Sequence, residues 1–313
     1  VSKLIIDITC TSNIDSNSCL AEISLLPFSC LSRPTSITLG FAPRSFIVSI
    51  DSFATPCPLN INPQPETNFN DDGRIADLVH VDLSSTAVII PMLNEEDSIG
   101  LVLDDLPKVA EVIVCDNGSN DRSPMIASAK GATVITEQQR GYGAACLRGL
   151  EYLKSESKTV VETVVFLDGD YSDYPEEIHD LVVPIQAGEM DMVIGSRLKG
   201  NRQKGAMPIQ SLFGNRLACF LMWLFWRARY TDLGPFRAIR FSSLLLLEMQ
   251  DRNFGWTIEM QIKAVERSLR YTEVPVSYRC RIGQSKISGT IMGSIKAGYK
   301  ILLTIFRYRF GWR

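Results

Sequence analysis

The sequence predicts an α/β domain built on a mostly parallel sheet with helices on both faces, and three observations carry the prediction. From Thr86 onward, short apolar runs alternate with helix-like segments at close spacing, the rhythm of successive βαβ units. Runs such as Ala87-Val88-Ile89-Ile90 and Val164-Val165-Phe166-Leu167 are apolar throughout, as buried strands are. Several then stop on polar or small residues, at the strand end where open α/β sheets keep their ligands.

Residues 1–82 stand apart. They are rich in Ser, Thr, Pro and Asn, with few charges and no sustained period, and are predicted to form a largely disordered extension. Phe46-Ile47-Val48-Ser49-Ile50 has strand character but no evident partner. The globular domain is predicted over 83–288. Its first strand is Thr86 to Pro91, followed by a helix from Glu95 to Leu106 with Asn94 as cap. Glu111 to Cys115 is the next strand, Ser123 to Lys130 a helix, and Ala132 to Ile135 a third strand. Arg140-Gly141-Tyr142-Gly143 opens a helix that runs to Lys154; Val164 to Leu167, a helix from Pro175 to Gln186, and the strand Asp191 to Ile194 follow.

Beyond Gly195 the rhythm breaks. A basic loop, Ser196 to Ala206, leads into a strongly apolar helix from Ile209 to Tyr230. A short strand (Phe236 to Ile239), two helices (Ser242 to Gln250 and Thr257 to Ser268) and a last strand (Tyr271 to Val276) come next. The chain closes on a basic loop, Tyr278 to Ser288, and a basic amphipathic helix over 289–313, where six basic residues stand between Lys286 and Arg313 without an acidic one.

The bulk properties exclude several classes. A net charge of −3 gives no global attraction to nucleic acid. Eight cysteines without a Cys-x-x-Cys pair, and only two histidines, argue against a zinc site. The four cysteines after residue 80 lie in apolar or helical patterns and read as buried free thiols, which fits a reducing cytosol. No run approaches the roughly 18 apolar residues of a membrane span, and the start lacks a secretory pattern. The expectation is a cytoplasmic protein without a transmembrane helix, with contact at the inner face of the membrane as a further option.

The chemistry is written at the strand ends. Asp168-Gly169-Asp170 puts two carboxylates at the end of a buried strand; the sequence alone also reads as an ordinary turn. Carboxylates sharing a small space repel, and a divalent cation is the usual remedy; Mg²⁺ in particular takes one or two carboxylates plus substrate phosphates. The turn after the first strand, Pro91-Met92-Leu93-Asn94-Glu95-Glu96, is not the glycine-rich turn of a dinucleotide site; its carboxylates suit ribose hydroxyls. The second strand ends on Asp116, and Gly141 and Gly143 flank a helix start where small residues permit close approach of a ligand. A nucleotide whose diphosphate is carried by a metal accounts for all four.

In combination and order, these pieces resemble the family 2 glycosyltransferases of the GT-A fold, a Rossmann-like architecture. The matching pieces are Ile90 to Glu95, Val114 to Asp121, Arg140 to Ala145, Asp168-Gly169-Asp170 with Pro175 to Ile178, Gly195-Ser196-Arg197 and Asp232 to Arg237. Within the family the chain looks like the dolichyl-phosphate mannose and glucose synthase branch. The resemblance implies a metal-dependent inverting transfer of a hexose from a UDP- or GDP-sugar to a polyprenyl phosphate. Pro91, Asn94, Glu95, Asp116, Gly141, Gly143 and Asp168 would contact the donor, Asp168 and Asp170 would hold the metal, and Arg197 would face an acceptor phosphate. The sequence departs from that branch at Ser172, where a glutamine is usual.

Arg281 and Lys286 read either as a basic lid over the phosphates or as a solvated loop, and Arg237 is a similar candidate. A hydroxyl acceptor needs a general base, and Asp232 and Glu259 are the candidates; a phosphate acceptor needs none. Trp223 and Trp226 on the apolar helix, with the basic C-terminal helix, read either as a membrane-surface device or as core packing. The alternatives are a soluble hydroxyl acceptor and, from another class, a catalytically inactive nucleotide-sugar-binding protein.

Overall fold

The computed structural model describes residues 6–10, 21–25, 40–42, 45–47, 81–283 and 291–311. The chain divides into two compact units, Val1–Ala76 and Asp77–Arg313. In the first, β1 (Ile6–Cys10) pairs antiparallel with β2 (Ala21–Leu25), and β3 (Gly40–Ala42) with β4 (Ser45–Ile47). Phe46 therefore has a partner strand after all, which places it opposite Phe41. Most of the segment read as disordered lies outside the described residues.

The second unit is built on a seven-stranded sheet. Its strands are β5 (Thr86–Met92), β6 (Glu111–Asp116), β7 (Thr133–Thr136), β8 (Thr163–Phe166), β9 (Met192–Ser196), β10 (Arg237–Arg240) and β11 (Tyr271–Pro275). The order across the sheet is β11-β9-β10-β8-β5-β6-β7, and all neighbours run parallel except β10, which is antiparallel to β8 and β9. That exception positions the site. Because β10 runs backwards, its amino end meets the carboxyl ends of β8 and β9, with Arg237 opposite both Phe166 and Ile194. The loop entering β10 is thereby delivered to the edge where the parallel strands finish.

The helices are α1 (Ile99–Asp105), α2 (Ser123–Ala129), α3 (Tyr142–Ser155), α4 (Ile178–Gln186), α5 (Ile209–Trp226), α6 (Phe241–Leu247), α7 (Trp256–Glu266) and α8 (Ile291–Phe310). Strand side chains alternate faces, which separates two cores. Ile89, Ile113, Phe166 and Ile194 pack with residues of α3, α5 and α7, whereas Val88, Val114, Val165 and Val193 pack with α1, α2 and α4. Phe166 meets Trp256 edge-on at 5.7 Å, fixing α7 to the centre of the sheet. The C-terminal helix α8 packs on α5 and α7, with Phe225 edge-on to Phe306 and Phe310.

α1 begins one turn later than its sequence signal. Asn94 adopts a left-handed backbone (φ 50°), and its side chain accepts the Asn120 N–H at 2.7 Å instead of capping. A separate turn follows, in which Ser98 and Ile99 donate to the Glu95 carbonyl. α5 is also shorter than expected: Arg227 is left-handed (φ 59°) and closes the helix on the Trp223 carbonyl. Cys115, Cys146 and Cys219 are buried as expected, but Cys280 is exposed, because the loop that carries it has no core to enter. No helix among the described residues is long and apolar enough to cross a membrane.

Candidate active site

The carboxyl ends of β5, β6 and β8 border one cavity of about 450 Å³. Pro91, Met92, Leu93 and Glu95 enter it from β5, Asn117 from β6, and Asp168, Gly169 and Asp170 from β8. Asn253 and Phe254, Arg281 and Lys296 close it from the later half of the chain. Asp116 itself sits just behind this wall, buried, and accepts the Ser119 N–H at 3.0 Å.

Asp168 lies half-buried at the end of β8 and lines the cavity. Its Oδ1 is buried without a hydrogen-bond partner. Burial, and then the charge of Asp170, push its carboxyl up to about 7 despite the opposing pull of Tyr142, Arg197 and Arg281. The Tyr142 hydroxyl faces it but is itself without an aligned partner. Asp170 is better held, accepting the Ser172 N–H at 2.9 Å and the Ser172 hydroxyl at 2.5 Å on Oδ1. Ser172, at the position of the usual glutamine, thus buttresses Asp170.

A third carboxylate, which follows Ser172 in the sequence, was not among the candidate ligands. Asp173 is buried with both oxygens unpartnered, and burial followed by the charges of Asp168 and Asp170 holds it well above the usual carboxylate range. The only signal was the third acid in Asp168-Gly169-Asp170-Tyr171-Ser172-Asp173.

These groups suit a hard divalent cation. An orphaned carboxylate oxygen beside a second carboxylate is the donor set that Mg²⁺ or Mn²⁺ takes. Among the described residues no three His, Cys, Asp or Glu side chains are arranged to hold a metal by themselves. Further ligands would therefore have to arrive with the ion, as phosphate oxygens can.

Arg281 reaches the same place from the loop after β11. One guanidinium nitrogen lies 2.9 Å from Glu95 Oε1 and another 3.1 Å from Asp170 Oδ2. The loop is fastened there by the Ile282 N–H on the Asp170 carbonyl and by Arg279, which stacks on Tyr171 and Tyr174. Lys286, its proposed companion, lies outside the described residues.

The other basic and acidic candidates have different employment. Arg197 grips Asp232 through two parallel bonds, Nη2 to Oδ1 at 2.7 Å and Nε to Oδ2 at 2.8 Å, and its backbone N–H adds a third at 2.9 Å. Asp232 is fully buried, so both its oxygens are committed to Arg197 rather than to a substrate proton. Arg237, read as a phosphate contact, is also fully buried, and it donates to the carbonyls of Leu233, Gly234 and Thr257. Burial lowers its basicity to about 10. It braces the loop into β10 against α7.

Glu259 is buried on α7 away from the cavity lining. It accepts the N–H groups of Gln250 and Asp251 and the Tyr308 hydroxyl, and pairs with Lys263 at 2.9 Å. The acid among apolar residues is explained by backbone donors eight and nine residues upstream.

The two glycines also serve the chain itself. A Cβ on Gly141 would stand 2.0 Å from the Arg252 carbonyl oxygen, and one on Gly143 2.0 Å from that of Asp251. Gly143 and Ala144 donate their N–H groups to Asn253 and Arg252, so the first turn of α3 is capped from within, while Gly141 and Tyr142 still line the cavity. Asn117 completes this corner by accepting the Gly141 N–H and donating to the carbonyls of Glu137 and Gln139. Gly143→Ala is expected to destabilise the fold by at least about 1–3 kcal/mol, since backbone cannot yield as a side-chain tip can; urea unfolding measures it.

Comparison with known proteins agrees with this arrangement. The model of "Glycosyl transferase family 2" matches residues 87–246. An uncharacterised glycosyltransferase of Mycobacterium tuberculosis is 32% identical over 223 residues, spanning 68% of this chain and 94% of that protein. A dolichyl-phosphate hexose transferase of Haloferax volcanii is 35% identical over 210 residues, spanning 64% and 86%. The crystal structure of glucosyl-3-phosphoglycerate synthase from M. tuberculosis, in complex with Mn²⁺, UDP and glucosyl-3-phosphoglycerate, superposes with a TM-score of 0.58. At 22% identity, over 72% of this chain and 80% of that one, the likeness is one of fold, the GT-A architecture. The cavity thus lies at the strand ends of a glycosyltransferase, and the chain belongs to glycosyl transferase family 2.

Proposed function

We propose that the protein transfers a hexose from a UDP- or GDP-sugar, with inversion, to a polyprenyl phosphate. The observation that carries the donor side is the unpartnered oxygen of Asp168 beside Asp170, in a cavity walled by Pro91, Glu95 and Asn117. Glu95 and Asp116 accept hydrogen bonds from ribose or base, and Pro91 packs beside them. Asp168 and Asp170 would hold Mg²⁺ or Mn²⁺, which would offset the charge that builds on the leaving diphosphate. Arg281, already at the mouth of the cavity, turns to the diphosphate, and the apolar wall excludes competing water.

The state of the two base candidates supports the phosphate acceptor. Neither Asp232 nor Glu259 is available as a general base, since each is saturated by partners within the protein. An ionised phosphate attacks the anomeric carbon without one. Arg197, beside Tyr278 with its guanidinium 5.1 Å from the ring centroid, contributes positive charge on that side even while it holds Asp232.

A lipid acceptor also agrees with the surface of α5. Ile209, Phe213, Phe220, Trp223 and Leu224 are exposed, and helical spacing puts them on one face with Arg216. Neither α5 nor α8 contains an acidic residue. Such a face suits the boundary of an anionic membrane. The test is release of UDP or GDP with Mn²⁺ from a panel of nucleotide sugars, with polyprenyl phosphate in detergent or with small soluble acceptors. Turnover that depends on polyprenyl phosphate is expected; turnover with soluble hydroxyl acceptors alone would reject the lipid reading.

A further inference from the structure

We infer that Arg281 is a placeholder for the divalent cation, so that the metal enters only together with a diphosphate. The inference rests on the metal–diphosphate reading above and adds an order of events to it. Arg281 joins two strand ends that otherwise serve different parts of a nucleotide. Its guanidinium holds Glu95 from the end of β5 at 2.9 Å and Asp170 from the end of β8 at 3.1 Å. A positive group therefore already compensates the carboxylate that a metal needs. A free dication gains little by entering such a site.

The guanidinium is not fully satisfied where it rests. Its Nε is buried without a hydrogen-bond partner, which leaves its desolvation uncompensated. Phosphate oxygens accept from a guanidinium edge in pairs, the geometry that would use this idle donor. A diphosphate thus offers Arg281 more than Asp170 does. Drawing the guanidinium onto the diphosphate frees Asp170 at the moment when phosphate oxygens become available to complete a metal's coordination. Metal and nucleotide then bind as a coupled pair, each raising the affinity for the other by the same factor.

Titration with Mn²⁺, followed by electron paramagnetic resonance, tests this without any turnover. Wild type, Arg281→Gln and Arg281→Lys are compared without nucleotide, with UDP and with GDP. Without nucleotide, Arg281→Gln is expected to bind Mn²⁺ about tenfold more tightly than wild type, and Arg281→Lys to stay as weak as wild type. With the preferred nucleotide the order reverses, and wild type binds Mn²⁺ about tenfold more tightly than Arg281→Gln. Nucleotide-free affinity that is unchanged or weakened in Arg281→Gln would overturn the placeholder role, and so would Arg281→Lys behaving like Arg281→Gln. If Mn²⁺ binds none of the three proteins with either nucleotide, the metal reading itself fails and the inference with it.

Discussion

Asp168→Asn is expected to lower turnover by about 10²–10³-fold and, at the same time, to stabilise the metal-free protein above neutral pH. The two effects have one cause. Asp168 is a half-buried residue whose carboxyl faces a second acid, with one enclosed oxygen lacking a partner. Its folded-state pKa, about 7, lies above the ordinary 3.8. Between those values the folded protein holds a proton that the unfolded chain has released, so this group's contribution to stability falls as pH rises through that window. Above it the fold carries an ionised, buried carboxylate, and asparagine relieves that cost. The gain should be near zero at pH 4 and on the order of a few kcal/mol at pH 8. Thermal unfolding of both proteins in a metal chelator, at several pH values, measures it. A gain that does not grow with pH would show that Asp168 is not strained in the way its surroundings imply.

Arg197→Ala is expected to cost about 3–5 kcal/mol of stability, the largest loss of any substitution considered. It leaves Asp232 charged and fully buried, deprived of its bidentate partner. The desolvation cost then stands without the attraction that offset it. Replacing both residues with apolar ones of similar volume should cost much less than the single change, because no charge is stranded. Urea unfolding of the two single variants and the double variant forms the cycle that separates the pair from its members. Equal losses in Arg197→Ala and the double variant would mean that the pair contributes through packing alone.

The parts of the site that were legible in the sequence are those set by position along a strand. Asp116, Asp168 and Asp170 stand where a buried run stops, and the sheet carries them to one edge whatever else surrounds them. Glu95 and Pro91 follow from the same reasoning. The residues that misled owe their roles to partners far away in the chain. Gly141 does line the cavity, but the backbone that it and Gly143 admit belongs to residues 251–253, more than a hundred positions on. Arg237 looked like a phosphate contact because its sequence gives no hint that β10 runs backwards and buries it between carbonyl oxygens. Glu259 resembled a base because an acid among apolar residues needs a reason; the reason was a loop of backbone donors and Tyr308 from α8. Asp173 was missed for the opposite cause, since nothing in its sequence position distinguishes a buried acid from a turn residue.

Asp168 and Asp170 are expected to bind a nucleoside diphosphate through a divalent cation. Calorimetric titration of UDP and of GDP into wild type and Asp170→Ala, each with Mn²⁺ and with chelator, tests this most directly. The account predicts that wild type binds one of the two nucleotides only when Mn²⁺ is present, and that Asp170→Ala loses the metal-dependent part while remaining folded. Nucleotide binding that is equally tight in chelator, or that survives unchanged in Asp170→Ala, would contradict it.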